Sequence, residues 1–543
     1  MVFALGASAF AATNSLETDY AIGDGLGVSV DLDIEGMYFD GVDILNTATN
    51  GYYPFSFSLI ASDRSKVASV TVSNGGSFHW AYAQNADGSY VTDEDGNYVE
   101  STTTNYGVVV LPTTSASTVT VTGTDNIGSA TFNCAQPSGG TTAAGASLYA
   151  YLPAPAQFVN EGVTTGGWGD AYDSNGTVKA TSSTGVSLGF FGGYAVYEFE
   201  NPIADDPTHP YGADFIVYGN AFWNNSEAGC IQVSKDGQTW YDIAGSMYYT
   251  KSTPNSTITY NNPSVTEDAA ITAPGSNLGT LAPVSYTLNG AAGTVTTNTF
   301  HNHSWFPLNA NYFVTYGPRA AMAKVDELPF ISRMLASNGV TDKLTFTGTL
   351  LTNYPGTNKT AEIGFGYCDV HPNKTLGGTI AYNPYQTFTS SSDYDTKVAG
   401  TSGGDPIDIA WAVKSNGTPA NLDSIRYVRI YTGMAQMNGI FGEISTEVCG
   451  VAACTGSTTE TAATPTISVD GSTVTTTNGG ILPLSKKSGD YTVNVTGTGY
   501  VYINGVATTS ATITPTRTGT KVQIIVQNGE AAPYVTYLNL QKK

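Results

Sequence analysis

The chain has 543 residues, only 12% of them charged, and a formal net charge of −23 set by 44 Asp plus Glu against 21 Lys plus Arg. So few basic residues exclude the cationic face that nucleic-acid binding requires, and they argue against attraction to an anionic membrane surface. The 41% hydrophobic content suffices for buried cores, and 34 Tyr among abundant Thr, Ser, Gly and Asn favour β structure with polar turns; the length suggests about three domains.

Residues 1–12, Met-Val-Phe-Ala-Leu-Gly-Ala-Ser-Ala-Phe-Ala-Ala, are an apolar run closing on the small-x-small site Ala9-Phe10-Ala11. They are expected to be the remnant of a secretory signal. No later stretch reaches the ~18 uncharged apolar residues of a membrane span. The expected location is therefore extracellular or at the cell surface, with no transmembrane segment. Residues 18–135 alternate with period two in Val28–Ile34, Ala68–Val72 and Thr118–Thr122, which predicts an Ig-like β domain. Asp87-Gly88 and Asp95-Gly96 mark hairpin turns within it.

A Gly/Thr/Ala link at 136–146 leads to the largest block, 147–452, which is also strand-rich: Tyr194–Phe199, Lys343–Gly348 and Arg426–Tyr431. Only Arg319–Leu335 has the length for a helix, and Pro329 interrupts it. Asp236-Gly237 between alternating runs predicts a type I′ hairpin with Trp240 packed across it. After a Thr/Ala/Gly/Ser stretch, residues 465–543 predict a second Ig-like sandwich. The fold class is thus all-β and multidomain. Of the five cysteines, Cys449 and Cys454 are close enough in sequence to close a small oxidised loop; the others are expected to be buried apolar groups.

Two motifs in the central block resemble the galactose-binding-like jelly roll of the discoidin and coagulation-factor type C superfamily. One is Ile231-Gln-Val-Ser-Lys-Asp-Gly-Gln-Thr-Trp240. The other is Ile425-Arg-Tyr-Val-Arg-Ile-Tyr431 followed by Phe441-Gly-Glu-Ile-Ser-Thr-Glu-Val448. The set Asp214-Phe-x-Val-Tyr-Gly-Asn-Ala-Phe222, Ser226-Glu-x-Gly229 and Trp240-Tyr-x-x-Ala-Gly-Ser246 is similar to a group of bacterial cell-surface proteins. The resemblance covers roughly 147–450 and departs from it in an insertion between Tyr249 and Lys343. It implies a jelly roll at 147–452 that binds ligands through loops at one end of the sandwich. It also implies a structural Ca²⁺ between an early acidic loop and the acidic final strand, and Asp170, Asp173, Glu443 and Glu447 fit that pattern.

The expected ligand loop carries Trp223, Asn224, Asn225 and Glu227, an indole face with amide and carboxylate partners for sugar hydroxyls. A second polar-aromatic cluster, with His303 and Trp305 beside Asn302 and Ser304, lies in the insertion. Asp369 and His371 read as a turn before Pro372, the Asp being turn-stabilising. No nucleophile elbow, zinc-protease helix or phosphate loop is present in the sequence. A glycosidase would need two facing carboxylates, and Asp214 with Glu227 is a pair that sequence leaves open. The expected function is a non-catalytic binding protein, an adhesin or glycan-binding module. The alternatives are a polysaccharide-acting enzyme and a capture protein for a nutrient or cofactor such as a corrinoid.

Overall fold

The computed structural model describes residues 18–23, 26–31, 56–83, 91–110, 117–134, 145–152, 154–156, 185–237, 239–261, 284–295, 343–352, 363–380, 382–437, 442–476, 478–486 and 488–543. These residues are built almost entirely of strands; the one α-helix among them is Ser391–Lys397, capped by Ser390. The chain is an all-β, multidomain protein. The helix expected near Arg319–Leu335 and the turn at Asp87-Gly88 lie outside the described residues.

In the N-terminal region, a five-stranded sheet (Thr18–Gly23, Leu26–Asp31, Ser56–Ala61, Tyr106–Val110, Ser77–Trp80) accompanies a three-stranded one (Val67–Val72, Ser117–Gly123, Ser129–Cys134). The alternation read from Thr118–Thr122 is observed, with Val119 and Val121 fully buried. The turn at Asp95-Gly96 also forms, held by Asp93, whose Oδ1 accepts from the backbone N–H groups of Asp95 (3.0 Å) and Asn97 (2.9 Å).

The central region has a six-stranded sheet in the spatial order Ala412–Val413, Tyr241–Ile243, Gly229–Ser234, Ser424–Thr432, Tyr194–Ala204, Ser147–Leu152. A three-stranded sheet, Asp405–Ile407, Phe215–Tyr218 and Gly450–Ala453, contributes Phe215, Val217, Ile407 and Val451 to the same core as Val196, Ile231, Val233 and Ile430. The Arg-Tyr-Val-Arg strand pairs on both edges, and Arg426, fully buried, donates to Glu198 Oε1 from Nε (2.8 Å) and Nη2 (2.6 Å). Burying that guanidinium is tolerable only because the carboxylate meets it with this paired geometry.

The Gly229–Ser234 and Tyr241–Ile243 strands pair as a hairpin, but residues 235–240 connect them, and of the Asp236-Gly237 pair Gly237 (φ +75°) is left-handed and Asp236 is not. The turn is therefore not type I′. The Asp236 side chain organises it, accepting from Thr239 N–H (2.7 Å) and Ser234 Oγ (3.0 Å). Trp240 does pack inward, with the Arg429 guanidinium 4.0 Å from its ring centre.

The C-terminal region has sheets of four strands (Ser472–Thr473, Thr466–Val469, Tyr491–Thr496, Ser510–Ile513) and five strands (Ile481–Pro483, Tyr534–Gln541, Thr520–Gln527, Tyr500–Ile503, Val506–Ala507) around its own core of Val493, Ile503, Val522 and Leu540. It is joined to the central region by buried polar contacts. Asn383 donates to Gln527 Oε1 at 2.6 Å, Gln523 donates to the Ala244 carbonyl at 3.2 Å, and Tyr502 donates to the Tyr385 carbonyl at 2.9 Å. The N-terminal region meets the 235–240 turn through Tyr98, whose hydroxyl donates to the Trp240 carbonyl (2.8 Å), and through His79, 3.3 Å from Asp236.

The expected Cys449–Cys454 bridge is not formed, and both residues are buried free thiols. They flank the extended strand Gly450–Ala453, so their Cα atoms are roughly 16 Å apart at about 3.3 Å per residue, far beyond disulfide reach.

Candidate functional site

The three-stranded sheet of the central region places acidic residues at both of its ends. At one end Asp214 precedes the strand Phe215–Tyr218 and Asp408 follows Asp405–Ile407; with Asp205 they bring carboxylate oxygens within 4.8 Å of one another. At the other end Glu447 precedes Gly450–Ala453 and joins Glu227 and Asp369 at the same spacing. Both groups offer only oxygen donors, which suits a hard divalent cation.

The second group is built by backbone geometry as much as by side chains. Asp369 is fully buried with φ +62°, a left-handed position that Asp tolerates. Its Oδ1 accepts from Asn220 N–H (2.7 Å) and its Oδ2 from Glu447 N–H (3.1 Å), while its own carbonyl accepts from Glu227 N–H (3.0 Å). A Cβ on Gly219 would lie 2.3 Å from Asp369 Oδ1, so this close approach requires glycine. Asp405 in turn accepts from Val370 N–H (3.0 Å) and lies 2.7 Å from His371 Nδ1, fixing the segment after Asp369. Glu447 Oε1 accepts from Ser187 Oγ at 2.6 Å.

Burial lifts the Glu447 carboxyl to about 7, against the lowering effect of hydrogen bonds from Ser187, Glu227, Ser445 and Asn220. Burial, and next the charge of Glu447, push Asp369 well above the carboxylate range. Ionising both groups side by side is costly.

The first group is closed differently. Asp214 Oδ1 accepts from Asp206 N–H (3.0 Å) and lies 3.2 Å from His209 Nδ1, while Oδ2 accepts from Ile409 N–H (2.9 Å). The hydrogen bond to Asp214 raises the His209 pKa despite partial burial. Burial raises Asp205 to about 7. Asp214 and Glu227, the pair open to a glycosidase reading, belong to opposite ends of Phe215–Tyr218. They are separated by roughly 13 Å of strand, outside the glycosidase range of about 5–9.5 Å.

The expected ligand loop runs directly into the second group. Asn225 N–H donates to the Phe222 carbonyl (2.9 Å), and Asn224 takes φ +61°, making a tight turn. Trp223 is not the exposed indole expected from sequence. It is half-buried against Phe388 (ring centres 6.5 Å apart) and Tyr394 (6.3 Å). Phe222, which sequence reasoning passed over, is the outward ring, 69% exposed, beside an exposed Asn224 and a half-buried Asn225. Adjacent positions in such a turn point oppositely, and the apolar pocket under Trp223 decides which one goes in.

Of the expected cation ligands, Glu447 belongs to the second group, together with Glu227 from the expected ligand loop. Glu443 is buried but belongs to neither group. Asp170, Asp173, His303 and Trp305 lie outside the described residues. Asp369, read from sequence as a turn residue, is instead the centre of the group. Its sequence signal, an acid between the apolar Cys368 and Val370, was present but unspecific.

No helix among the described residues is long and apolar enough to cross a membrane. No protein-family model matches the chain, and no curated protein matches it.

Proposed function

We propose that the chain is a non-catalytic, extracellular or surface-associated binding protein whose loop 220–227 contacts a carbohydrate. The observation that carries this reading is the Phe222–Asn225 turn, which displays one bare aromatic ring next to amide side chains and is tied at its base to a carboxylate group. Phe222 replaces Trp223 as the stacking surface, and Trp223 supports the loop from behind. Asn224 and Asn225 supply the hydrogen bonds to ring-edge hydroxyls.

A divalent cation, with Ca²⁺ fitting the all-oxygen donor set, is proposed at Glu227, Asp369 and Glu447, with Ser187 Oγ and Asn220 close by. When bound it would replace the shared proton and neutralise the buried charge. Because Asp369 also holds Asn220 N–H, and Glu227 ends the loop, such a brace would fix the loop's shape.

The non-catalytic reading is supported by how the buried acids are used. Asp369 accepts backbone N–H groups on both oxygens, and Asp214 does the same. Extracellular residence agrees with the strongly acidic composition, and burial raises the Cys368 and Cys454 thiol pKa values, which makes both thiols inert to oxidation.

A glycan array probed at millimolar Ca²⁺ with the full chain and with Phe222→Ala tests the reading. Glycan-specific signal that the substitution removes is expected. Absence of signal for both proteins, or equal signal for both, contradicts it, and release of reducing sugar from polysaccharide would instead establish an enzyme.

A further inference from the structure

A cleft of about 230 Å³ opens where the central and C-terminal regions meet. Its walls include Met247, Phe365 and Phe388 from the former and Tyr502 and Val506 from the latter. The two walls are held in fixed relation. Tyr502 donates to the Tyr385 carbonyl at 2.9 Å, and its ring lies 5.3 Å edge-on from that of Phe365. Gly505, at φ +74°, lets the backbone approach so closely that a Cβ there would stand 1.8 Å from the Ser246 carbonyl oxygen. Such a junction is preformed, the usual condition for a small-molecule site at a domain interface.

The charge of the lining is anomalous for this protein. The whole chain carries 44 acidic and 21 basic side chains, yet no Asp or Glu lines the cleft, and Lys251 does. Lys251 is half-buried and makes no ion pair with a described residue; its backbone N–H is fixed to the Met247 carbonyl at 2.8 Å. The other ionisable group of the wall, His371, is already committed through Nδ1 to Asp405 at 2.7 Å. Gln386 and Thr250 add neutral hydrogen-bonding groups.

We infer that this cleft binds a small aromatic carboxylate, with the ring against the wall formed by Tyr502 and Val506 and the carboxylate on Lys251. The volume lies below the roughly 300–1,000 Å³ of sites for drug-sized ligands, which fits one ring with a short acidic chain. Aromatic edges and faces favour a flat ring over a saturated sugar acid, and a lone ammonium selects a monoanion. The inference does not depend on whether loop 220–227 binds a carbohydrate.

The test is calorimetric titration of the full chain with cinnamate, cinnamyl alcohol and glucuronate. Cinnamate should bind saturably at one site. Cinnamyl alcohol should bind about tenfold more weakly, as should cinnamate to Lys251→Gln, for loss of one charge-assisted contact. Lys251→Gln should melt at the wild-type temperature. Ala507→Trp, which fills the cleft from its rim, should abolish the heat. No saturable heat from cinnamate at millimolar concentration overturns the inference. So does cinnamate affinity indifferent to Lys251→Gln, or glucuronate binding more tightly than cinnamate.

Discussion

The two ends of the sheet Asp405–Ile407, Phe215–Tyr218, Gly450–Ala453 pose the same electrostatic problem and solve it differently. Each gathers three carboxylates within 4.8 Å, two of them buried. Backbone N–H groups take both oxygens of the central acid at either end; what differs is that at the Asp214 end the imidazole of His209 lies 3.2 Å from the central acid itself. At the Asp369 end the charges that raise the central acid are carboxylates, Glu447 and Asp405, and the nearby imidazole, His371, meets Asp405 and not Asp369. The lesson is that an acidic cluster is defined by what else faces it. A histidine on the central acid supplies a partner from the fold; where only carboxylates face the central acid and a loop rests on it, we propose a cation.

The largest expected effect separates packing from charge at the second end. Asp369→Ala strands the N–H groups of Asn220 and Glu447 in the interior. At about 1–3 kcal/mol for each unsatisfied group, urea unfolding should report a loss of about 2–6 kcal/mol. Asp369→Asn keeps one carbonyl acceptor and turns its NH₂ toward the other N–H, so without Ca²⁺ it should cost less than Asp369→Ala. If the two variants are equally unstable, the hydrogen bonds from Asn220 and Glu447 are not what Asp369 contributes.

Next in size is the response to Ca²⁺. At free Ca²⁺ a hundredfold above its dissociation constant, linkage adds about 2.7 kcal/mol to the stability of the binding region. The melting temperature of chelator-treated protein should rise with Ca²⁺, and Glu227→Gln should blunt the rise. An unchanged melting temperature would leave the second end holding a proton instead.

The pH dependence sharpens the same point. The folded-state pKa of Glu447 is raised from its ordinary 4.5 to about 7. The folded state therefore binds this proton more tightly than the unfolded chain. Its stabilisation is full below about 4.5 and is lost as pH rises through about 7. Metal-free protein should melt lower at pH 8 than at pH 5.5, and Glu447→Gln should flatten that slope. Asp205, raised by burial to about 7, contributes in the same direction at the other end, so Asp205→Asn should remove a separate share. If Glu447→Gln leaves the slope untouched, the raised carboxyl is not at this end.

The smallest effects concern the loop. Phe222→Ala should barely move the melting temperature, since its ring is 69% exposed. Trp223→Ala empties a half-filled aromatic pocket and should cost about 2 kcal/mol, less than the 3–5 kcal/mol of a fully buried aromatic. A reversed order would return Trp223 to the role of exposed platform.

The strand content and the inward face of each sheet were legible because period-two alternation survives in single sequences, as in Thr118–Thr122 and Tyr491–Val495. The 231–240 hairpin was legible, but not its turn type, because Asp-Gly signals a reversal without revealing that the Asp side chain would close a longer connection. Which ring of loop 220–227 faces outward was not legible: Phe222 and Trp223 are neighbours, and only the rings of Phe388 and Tyr394, more than 160 positions away, determine which turns inward. Glu227 and Glu447 were each singled out for different reasons, yet their meeting through Asp369 depends on long-range strand placement that no local pattern encodes.

The most direct test of the contrast is calorimetric titration of Ca²⁺ into chelator-treated full-length protein, alongside Glu447→Gln and Asp205→Asn. One saturable site that Glu447→Gln abolishes and Asp205→Asn preserves is the predicted result. A site lost with Asp205→Asn but retained with Glu447→Gln, or no binding by any of the three proteins, would contradict it.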